Sequence, residues 1–217
     1  MPIVNVLKEK PLKNAYIGEY RVPGENTIAY YPLTSETTVN DLSWNNRNLT
    51  NYNGVAFGTY AGVDCSYFAW NKMILYNSSF PARWTSSWTF SCWVYTTSNT
   101  RQAVIVLWNT AATVLFIKLY NWYIDGTSVE VSPNNWHNIV YTVWNNTLKM
   151  YIDGVEQYSS SSYTISNTAS IWLGRATYQD TENLYWYLSQ VIVENQVRTA
   201  EQVAWYYNQT KSQYWIS

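Results

Sequence analysis

The sequence predicts an all-β protein in which two antiparallel sheets pack as a sandwich, with one short helix near the C-terminus. Aromatic residues make up 18% of the 217 residues, and aromatic and β-branched side chains are favoured in strands. About a dozen short strand-like segments follow one another with turn residues between them. A single segment has the pattern of a helix, so the alternation of strands and helices that builds a parallel sheet is missing.

The strand-like segments begin at Thr27 and recur to Val193. In Trp88–Tyr95 the residues alternate, which places Trp88, Phe90, Cys92 and Val94 on one face of a strand. The Asn-rich segment 43–53 is typical of turns. The other predicted strands span residues 27–31, 54–60, 63–68, 72–76, 103–108, 114–120, 136–143, 148–152, 171–173 and 187–193.

Two turns and one helix have local signatures. The Asp-Gly pairs at 125–126 and 153–154 predict hairpin turns, since both residue types tolerate positive φ. Thr199 followed by Gln202 has the form of a capping box, in which each side chain satisfies a backbone N–H of the first helical turn. The pattern predicts a helix that ends at about Asn208.

Composition divides the chain into an N-terminal arm or attachment segment, residues 1–25, and a sandwich domain, residues 26–217. The arm contains an apolar strand-like run, which we expect to pair with an edge of its own sheet or with a neighbouring subunit. The residues that carry this expectation are Ile3, Val4, Val6 and Leu7.

The charge of the chain excludes several classes of partner. The formal net charge is −1 and charged residues are only 12% of the total, so the basic excess that nucleic-acid binding needs is absent. No run of 18 apolar residues occurs, and we expect no membrane insertion. The abundance of uncharged polar residues and aromatics suits a surface that binds glycans or faces the outside of a cell or virion, and it is equally typical of an ordinary β-rich sandwich. The first residues do not have the pattern of a signal peptide.

Cys65 and Cys92 both lie in strand-like segments. Two buried free thiols and a single disulfide are both compatible with this placement. Neither cysteine has a His or Cys at the spacing of a zinc site.

Four parts of the chain together resemble laminin-G-like domains of the concanavalin A-like lectin/glucanase superfamily, over residues 27–209. The resemblance implies a jelly-roll sandwich and a carbohydrate-binding or adhesive module that commonly forms part of a larger protein. The segments that carry it are Ala29–Leu33 with Val39–Ser43 and Asn45–Leu49; Trp88–Val94; Trp136–Tyr141 with Leu148–Gly154; and Ile171–Gly174 with Tyr187–Val193 and Arg198–Gln202.

The acidic residues do not predict an enzyme. Relatives that hydrolyse glycans use two carboxylates that face one groove. The nearest pair here is Asp180 and Glu182, in a loop-like stretch, whereas Glu130 stands alone on its strand. The single histidine, His137, has no Ser or Cys partner that sequence spacing nominates. We therefore expect no catalysis.

We expect no cofactor, and a calcium ion is the one metal that the resemblance raises. Many laminin-G-like domains hold calcium at their rim, and relatives often carry an acidic pair before the last strand. This chain has Ser189 and Gln190 there. Asp180 and Glu182 could supply two oxygen ligands, or they could be two solvated loop acids.

A sugar site needs exposed aromatic rings with polar groups nearby, because the apolar face of a sugar stacks on a ring. Trp93 and Tyr95 face away from the predicted core face of their strand, and could line an open sheet face or belong to the core of the facing sheet. Tyr178 and Tyr185, beside Asn183, are a second candidate platform.

These observations predict a non-catalytic, surface-exposed module that binds a glycan or a cell-surface ligand, as part of a virion or an extracellular fibre. The alternative is a structural or decoration subunit that assembles with other subunits through its N-terminal arm and binds no sugar.

Several tryptophans occupy turns where the family usually has glycine, notably Trp44 and Trp186, while the chain has 13 Trp and 8 Gly. Tight turns favour positive φ, which is unfavourable for tryptophan. One hypothesis is that the natural gene reads UGA as glycine, as some bacterial lineages and their phages do. The alternative is that these are genuine surface tryptophans that form a contact patch.

Overall fold

The computed structural model describes residues 24–60, 62–69, 74–80, 87–108, 113–124, 126–163, 170–175 and 184–214. The arm residues Ile3, Val4, Val6 and Leu7 lie outside these ranges. The described chain forms fourteen strands in two antiparallel sheets, followed by one α-helix, which confirms the predicted sandwich.

The first sheet has eight strands, numbered here in chain order. Seven follow one another across it. The eighth, β1 (Thr27–Tyr31), pairs with residues 191–194 of β14 (Trp186–Glu194), whereas β4 (Val63–Phe68) pairs on the same side with residues 186–188. The spatial order is β12 (Val155–Ser160), β11 (Thr147–Ile152), β10 (Trp136–Trp144), β6 (Ser87–Tyr95), β14 (Trp186–Glu194), β4 (Val63–Phe68) and β3 (Ala56–Tyr60).

The second sheet has six strands and covers one face of the first. Its spatial order is β2 (Thr50–Tyr52), β5 (Ile74–Asn77), β13 (Ser170–Leu173), β7 (Gln102–Trp108), β8 (Thr113–Tyr120) and β9 (Tyr123–Ile124). Strands β2, β9 and β12 were not predicted. Strand β2 lies in the Asn-rich segment that was expected to be a turn, β9 is two residues long and directly precedes the predicted 125–126 turn, and the side chains of β12 are mostly exposed.

The main core lies between the two sheets, and alternation along β6 explains how it forms. Trp88, Phe90, Cys92 and Val94 all point into it and are fully or almost fully buried, as their spacing predicts. Leu75, Ile171 and other apolar residues of the second sheet meet them from the opposite side.

A second apolar layer lies on the outer face of the first sheet, beneath helix α1 (Ala200–Thr210) and a short 3-10 helix (Lys211–Tyr214). Thr199 and Gln202 form the predicted capping box, and the helix ends two residues beyond Asn208. A fully buried ion pair, Arg198 Nε to Glu194 Oε2 at 2.6 Å, ties the start of this helix to the end of β14.

The turns explain several unusual residues. At 153–154 both Asp153 and Gly154 have positive φ, as the predicted hairpin turn requires. Trp44 also has positive φ, at 66°, and its side chain is 79% exposed. Trp122 has φ 68° in the turn between β8 and β9. Trp186, in contrast, lies within β14 and is not among the residues with positive φ.

The sequence left open whether Cys65 and Cys92 are free or form a disulfide, and the structure answers this question. Both are free and buried, and they lie on opposite faces of the first sheet, Cys92 in the main core and Cys65 in the layer beneath the C-terminal helix. Burial raises the pKa of the Cys65 thiol to about 12, and that of Cys92 is raised for the same reason.

Candidate functional site

A serine, a histidine and an aspartate are linked by hydrogen bonds at one end of β10. His137 Nδ1 lies 2.7 Å from Asp153 Oδ2, and His137 Nε2 lies 2.9 Å from Ser132 Oγ. The serine is five residues before the histidine, in a loop, where sequence spacing did not identify it as a partner. This order of groups is the one found in nucleophilic triads.

The surrounding contacts favour a structural role for this cluster. His137 Nε2 also lies 3.0 Å from the carbonyl oxygen of Ser132, which can accept the ring N–H. Asp153 Oδ1 accepts a hydrogen bond from the backbone N–H of Asn138, and Asp153 N donates to the carbonyl oxygen of Asn138. The cluster therefore fastens the Ser132 loop and the 153–154 turn to β10.

Trp93 was a candidate for sugar stacking, and the structure excludes that role. Its side chain is fully buried on the outer face of the first sheet. Tyr214 of the 3-10 helix stacks on it with ring centroids 3.9 Å apart, and Tyr207 of α1 lies against it at 5.8 Å. The face was correctly expected to be opposite to that of Cys92, but the helix that covers it could not be placed from the sequence.

Tyr95 lies at the end of the same face that the helix leaves uncovered. Its ring centroid is 5.5 Å from that of Tyr187, which in turn lies 5.0 Å from Tyr60 and 5.3 Å from Tyr67. All four tyrosines are half-buried. They form a tyrosine row across β6, β14, β4 and β3, in which the rings of Tyr60 and Tyr187 are stacked on each other.

A second aromatic surface lies on the outer face of the second sheet, and its three rings were not among the predicted site residues. Trp172 on β13 lies 5.6 Å from Tyr76 on β5, which lies 6.4 Å from Tyr52 on β2. These strands are adjacent, so the rings follow one another at right angles to the strands. We call Tyr52, Tyr76 and Trp172 the aromatic row.

The aromatic row faces away from the core. Its neighbours along the chain, Leu75, Ile171 and Leu173, are fully buried between the sheets, so the alternating Tyr76 and Trp172 point outward. Tyr52 is 53% exposed, and the other two rings are half-buried.

Hydroxyl groups accompany the rings of the aromatic row. Thr50 pairs with Tyr76 across β2 and β5 and is exposed. Ser170 Oγ accepts a hydrogen bond from Trp172 Nε1 at 2.9 Å, which fixes the indole. Rings with adjacent hydroxyls are the combination that neutral sugars bind. The alternation Leu75–Tyr76 and Ile171–Trp172–Leu173 is the sequence signal that could have identified the row.

The remaining predicted site residues are only partly described. Tyr185 is half-buried just before β14, and its backbone N–H donates to Gln102 Oε1. Tyr178, Asn183, Asp180 and Glu182 lie outside the described residues. Within the part of the chain that the structure describes, no group of three or more His, Cys, Asp or Glu could hold a metal ion.

None of the described helices is long and apolar enough to cross a membrane.

Comparison with known families gives one match. A laminin G family model, described as the concanavalin A-like lectin/glucanases superfamily, matches residues 71–204. No curated protein matches the chain at the level of sequence.

Many solved structures share the fold. Domain 4 of AbnA, a GH43 extracellular arabinanase from Geobacillus stearothermophilus solved with arabinotriose, has a TM-score of 0.64 and 15% identity over 82% of this chain and 97% of that domain. The receptor-binding domain of botulinum neurotoxin C/D mosaic serotype has a TM-score of 0.66 and 13% identity over 84% of this chain.

The binding domain of botulinum neurotoxin DC, solved with rat synaptotagmin II, has a TM-score of 0.64 and 10% identity over 84% of this chain. This chain spans about half the length of both neurotoxin domains, 51% in each case. At these identities the likeness shows the shared fold.

Proposed function

Because this chain belongs to the concanavalin A-like lectin/glucanases superfamily, we propose that it is a non-catalytic module that binds carbohydrate at the aromatic row of its second sheet. The observation that carries the proposal is the line of three outward rings, Tyr52, Tyr76 and Trp172, on a face that the main core does not use. The arabinanase domain was solved in complex with arabinotriose, a short sugar chain, which supports this ligand class.

The spacing of the row suits a linear oligosaccharide. Successive rings on β2, β5 and β13 are 5.6 to 6.4 Å apart. The rings of Tyr52 and Tyr76 lie at 85° to each other and those of Tyr76 and Trp172 at 35°, so a linear sugar chain would stack on the faces of some rings and contact the edges of others. The exposed neutral hydroxyl of Thr50 suits an uncharged glycan better than an acidic one. A rigid sheet holds the rings in place before the ligand arrives, which reduces the entropy lost on binding.

The absence of catalysis is part of the proposal. The one Ser-His-Asp cluster in the described chain is used to fasten a loop and a turn, and its histidine is largely buried. The other candidate for a catalytic group that the sequence offers is the acid pair Asp180 and Glu182. A bound glycan should therefore be recovered uncleaved.

The biological setting that we propose is the surface of a virion or an extracellular fibre. A charged fraction of 12%, with Asn, Ser and Thr as the solvating residues, supports an exposed surface that contacts glycans or cells. In this setting other subunits of the assembly are the second class of partner, and the arm, residues 1–25, is the proposed attachment.

A glycan array followed by calorimetry tests the binding proposal. The full chain should bind neutral linear glycans, and Trp172→Ala or Tyr52→Ala should weaken binding several-fold each, since a stacked ring contributes about 1 kcal/mol beyond its buried area. Tyr158→Ala, an exposed tyrosine on β12 of the other sheet, is the matched control and should bind normally. Unchanged binding by Trp172→Ala would place the ligand elsewhere, and no binding to any glycan would favour the structural subunit.

A further inference from the structure

Among the described residues the two sheets have five strands with an unpaired side, and such an edge exposes backbone groups that can pair with another chain. One of them, β1, is covered by the segment that follows it: Tyr30 N donates to Asp41 Oδ1, and Leu42 N donates to the carbonyl oxygen of Tyr30. In the second sheet both edges are short: β2 has three residues and β9 has two. A short edge strand can form few hydrogen bonds with a partner, so a stable pairing at β2 or β9 is not expected.

The first sheet has one edge that carries protective features. Strand β12 includes Glu156, whose carboxylate lies 2.9 Å from Lys149 Nζ. Its register with β11 shifts between Met150 and Tyr151, so the strand is irregular as well as charged. Charges and bulges of this kind discourage edge-to-edge association.

The opposite edge of the first sheet, β3, has none of these features. Its five residues, Ala56–Tyr60, pair with β4 in continuous register, and within the described residues no strand pairs with its other side. Residues 48–63, which include β3, contain no Asp, Glu, Lys, Arg or Pro. The strand is therefore regular, uncharged and open.

The tyrosine row ends at this edge. Tyr67 on β4 lies 5.2 Å from Tyr60 on β3, and both contact Tyr187 further inside the sheet. A strand added beside β3 would extend the sheet next to a surface of half-buried aromatic rings. Such rings gain further apolar burial when a neighbour covers them.

We propose that β3 is the dimerisation edge of this protein, where the β3 strands of two copies pair antiparallel across a two-fold axis centred near Gly58. A second copy fits this edge because it presents the same uncharged strand, so the contact is self-complementary. The net charge of −1 gives little repulsion between copies. The nearest charged residue on β4, Asp64, accepts a hydrogen bond from Thr59 Oγ1.

The dimer has a consequence for binding, which rests on the proposed function. Two first sheets would join into one, and each copy would keep its aromatic row on its second sheet. Two sites on one rigid body bind a repetitive glycan surface more tightly than either site alone.

Light scattering on the full chain, without sugar, measures the dimer separately from glycan binding. The wild-type protein should have twice the chain mass of 25.3 kDa. Thr59→Glu adds a carboxylate beside Asp64 in both copies and should give the mass of a single chain. Gln157→Glu, an equally exposed position on the protected edge β12, is the matched control and should remain dimeric.

A photo-reactive amino acid at position 59 identifies the occupant of the edge even if Thr59→Glu fails to fold. Cross-links to residues 56–60 of a second copy support the proposal. Cross-links within one chain to residues 1–23 overturn it, because the edge is then held by the chain's own arm. A single-chain mass for the wild-type protein at all concentrations, or a dimer unaffected by Thr59→Glu, also overturns it.

Discussion

At the scale of single residues, two tryptophans have a backbone conformation that favours glycine. Asn121 and Trp122 both have positive φ, at 49° and 68°, in the two-residue turn between β8 and β9. Asn-Gly is the pair that such a turn prefers. Trp44 has φ 66°, and most of its indole is exposed to solvent. The exposed indole of Trp44 gains little from packing to offset its strained backbone, whereas Trp122 is half-buried and gains more.

We expect Trp44→Gly to raise the free energy of unfolding by about 1 kcal/mol, since glycine adopts a left-handed conformation without strain, and Trp122→Gly to raise it by less, because the half-buried indole of Trp122 also loses packing. Urea denaturation measures the change. The control is Trp144→Gly, an exposed tryptophan within β10 that has no positive φ, and this change should lower stability. Loss of stability at positions 44 and 122 would contradict the expectation.

The same residues test the hypothesis that UGA is read as glycine. In protein from the natural source, mass spectrometry of the peptides that contain positions 44 and 122 would then show glycine. Trp186 lies in a strand and is not among the residues with positive φ, so its backbone gives no reason to expect glycine there. Glycine at position 186 in the natural protein would indicate that the codon is reread throughout the gene. Tryptophan at 186 would limit the effect to the two strained turns.

At the scale of elements, the C-terminal helices are part of the sandwich. Helix α1 and the 3-10 helix place Tyr206 and Tyr214 against the outer face of the first sheet. Tyr214 stacks on Trp93 and donates a hydrogen bond from its hydroxyl to Ser189 Oγ at 3.1 Å. The layer is therefore a second core, and the tyrosine row is the portion of the sheet that it leaves open.

Truncation of Tyr214 tests how much this layer stabilises the protein. Tyr214→Ala should lower the free energy of unfolding by about 3 to 5 kcal/mol, because it empties a fully packed site over Trp93. Tyr214→Phe keeps the ring and removes only the hydrogen bond to Ser189, at a cost of about 1 kcal/mol. Equal effects of the two changes on the denaturation midpoint would show that stacking is not the main contribution.

At the scale of the whole molecule, the sandwich buries many weak acids that ionise only in alkali. Burial raises the pKa of Cys65 and of Tyr163 to about 12, and also raises the pKa values of Cys92, Tyr141 and Tyr206. In the unfolded chain thiols and phenols titrate near 9.0 and 10.0. The unfolded state therefore releases protons first as the pH rises.

The stability that these buried thiols and phenols contribute should be constant below about pH 9 and fall above it, by about 1.4 kcal/mol per pH unit for each buried thiol. Denaturation midpoints measured between neutral pH and the onset of phenol ionisation show this slope. In Cys65→Ala/Cys92→Ala the loss between the thiol and phenol ranges should be smaller. An identical slope in that variant would exclude the thiols as its cause.

Two separate surfaces of the molecule have different proposed binding roles. The aromatic row on the second sheet is the proposed glycan surface, and the edge strand β3 of the first sheet is the proposed contact with a second copy. Neither surface contains the fastened cluster of Ser132, His137 and Asp153.

Most of the strands, turns and the helix could be predicted because the sequence patterns that specify them involve residues close together in the chain. Alternation in Trp88–Tyr95, the 153–154 turn and the capping box at Thr199 each depend on residues within a few positions of one another. Strand β12 was missed since its side chains are exposed, and β2 because an Asn-rich edge strand has no buried face to reveal it.

The sequence by itself determined the class of fold, the inward face of β6 and the position of the helix, because backbone geometry and side-chain spacing act over short distances. Only the tertiary structure decided that Trp93 is buried and that Tyr52, Tyr76 and Trp172 form one row. Those facts depend on which strands become neighbours and where a distant helix packs, and such contacts join residues far apart in the chain.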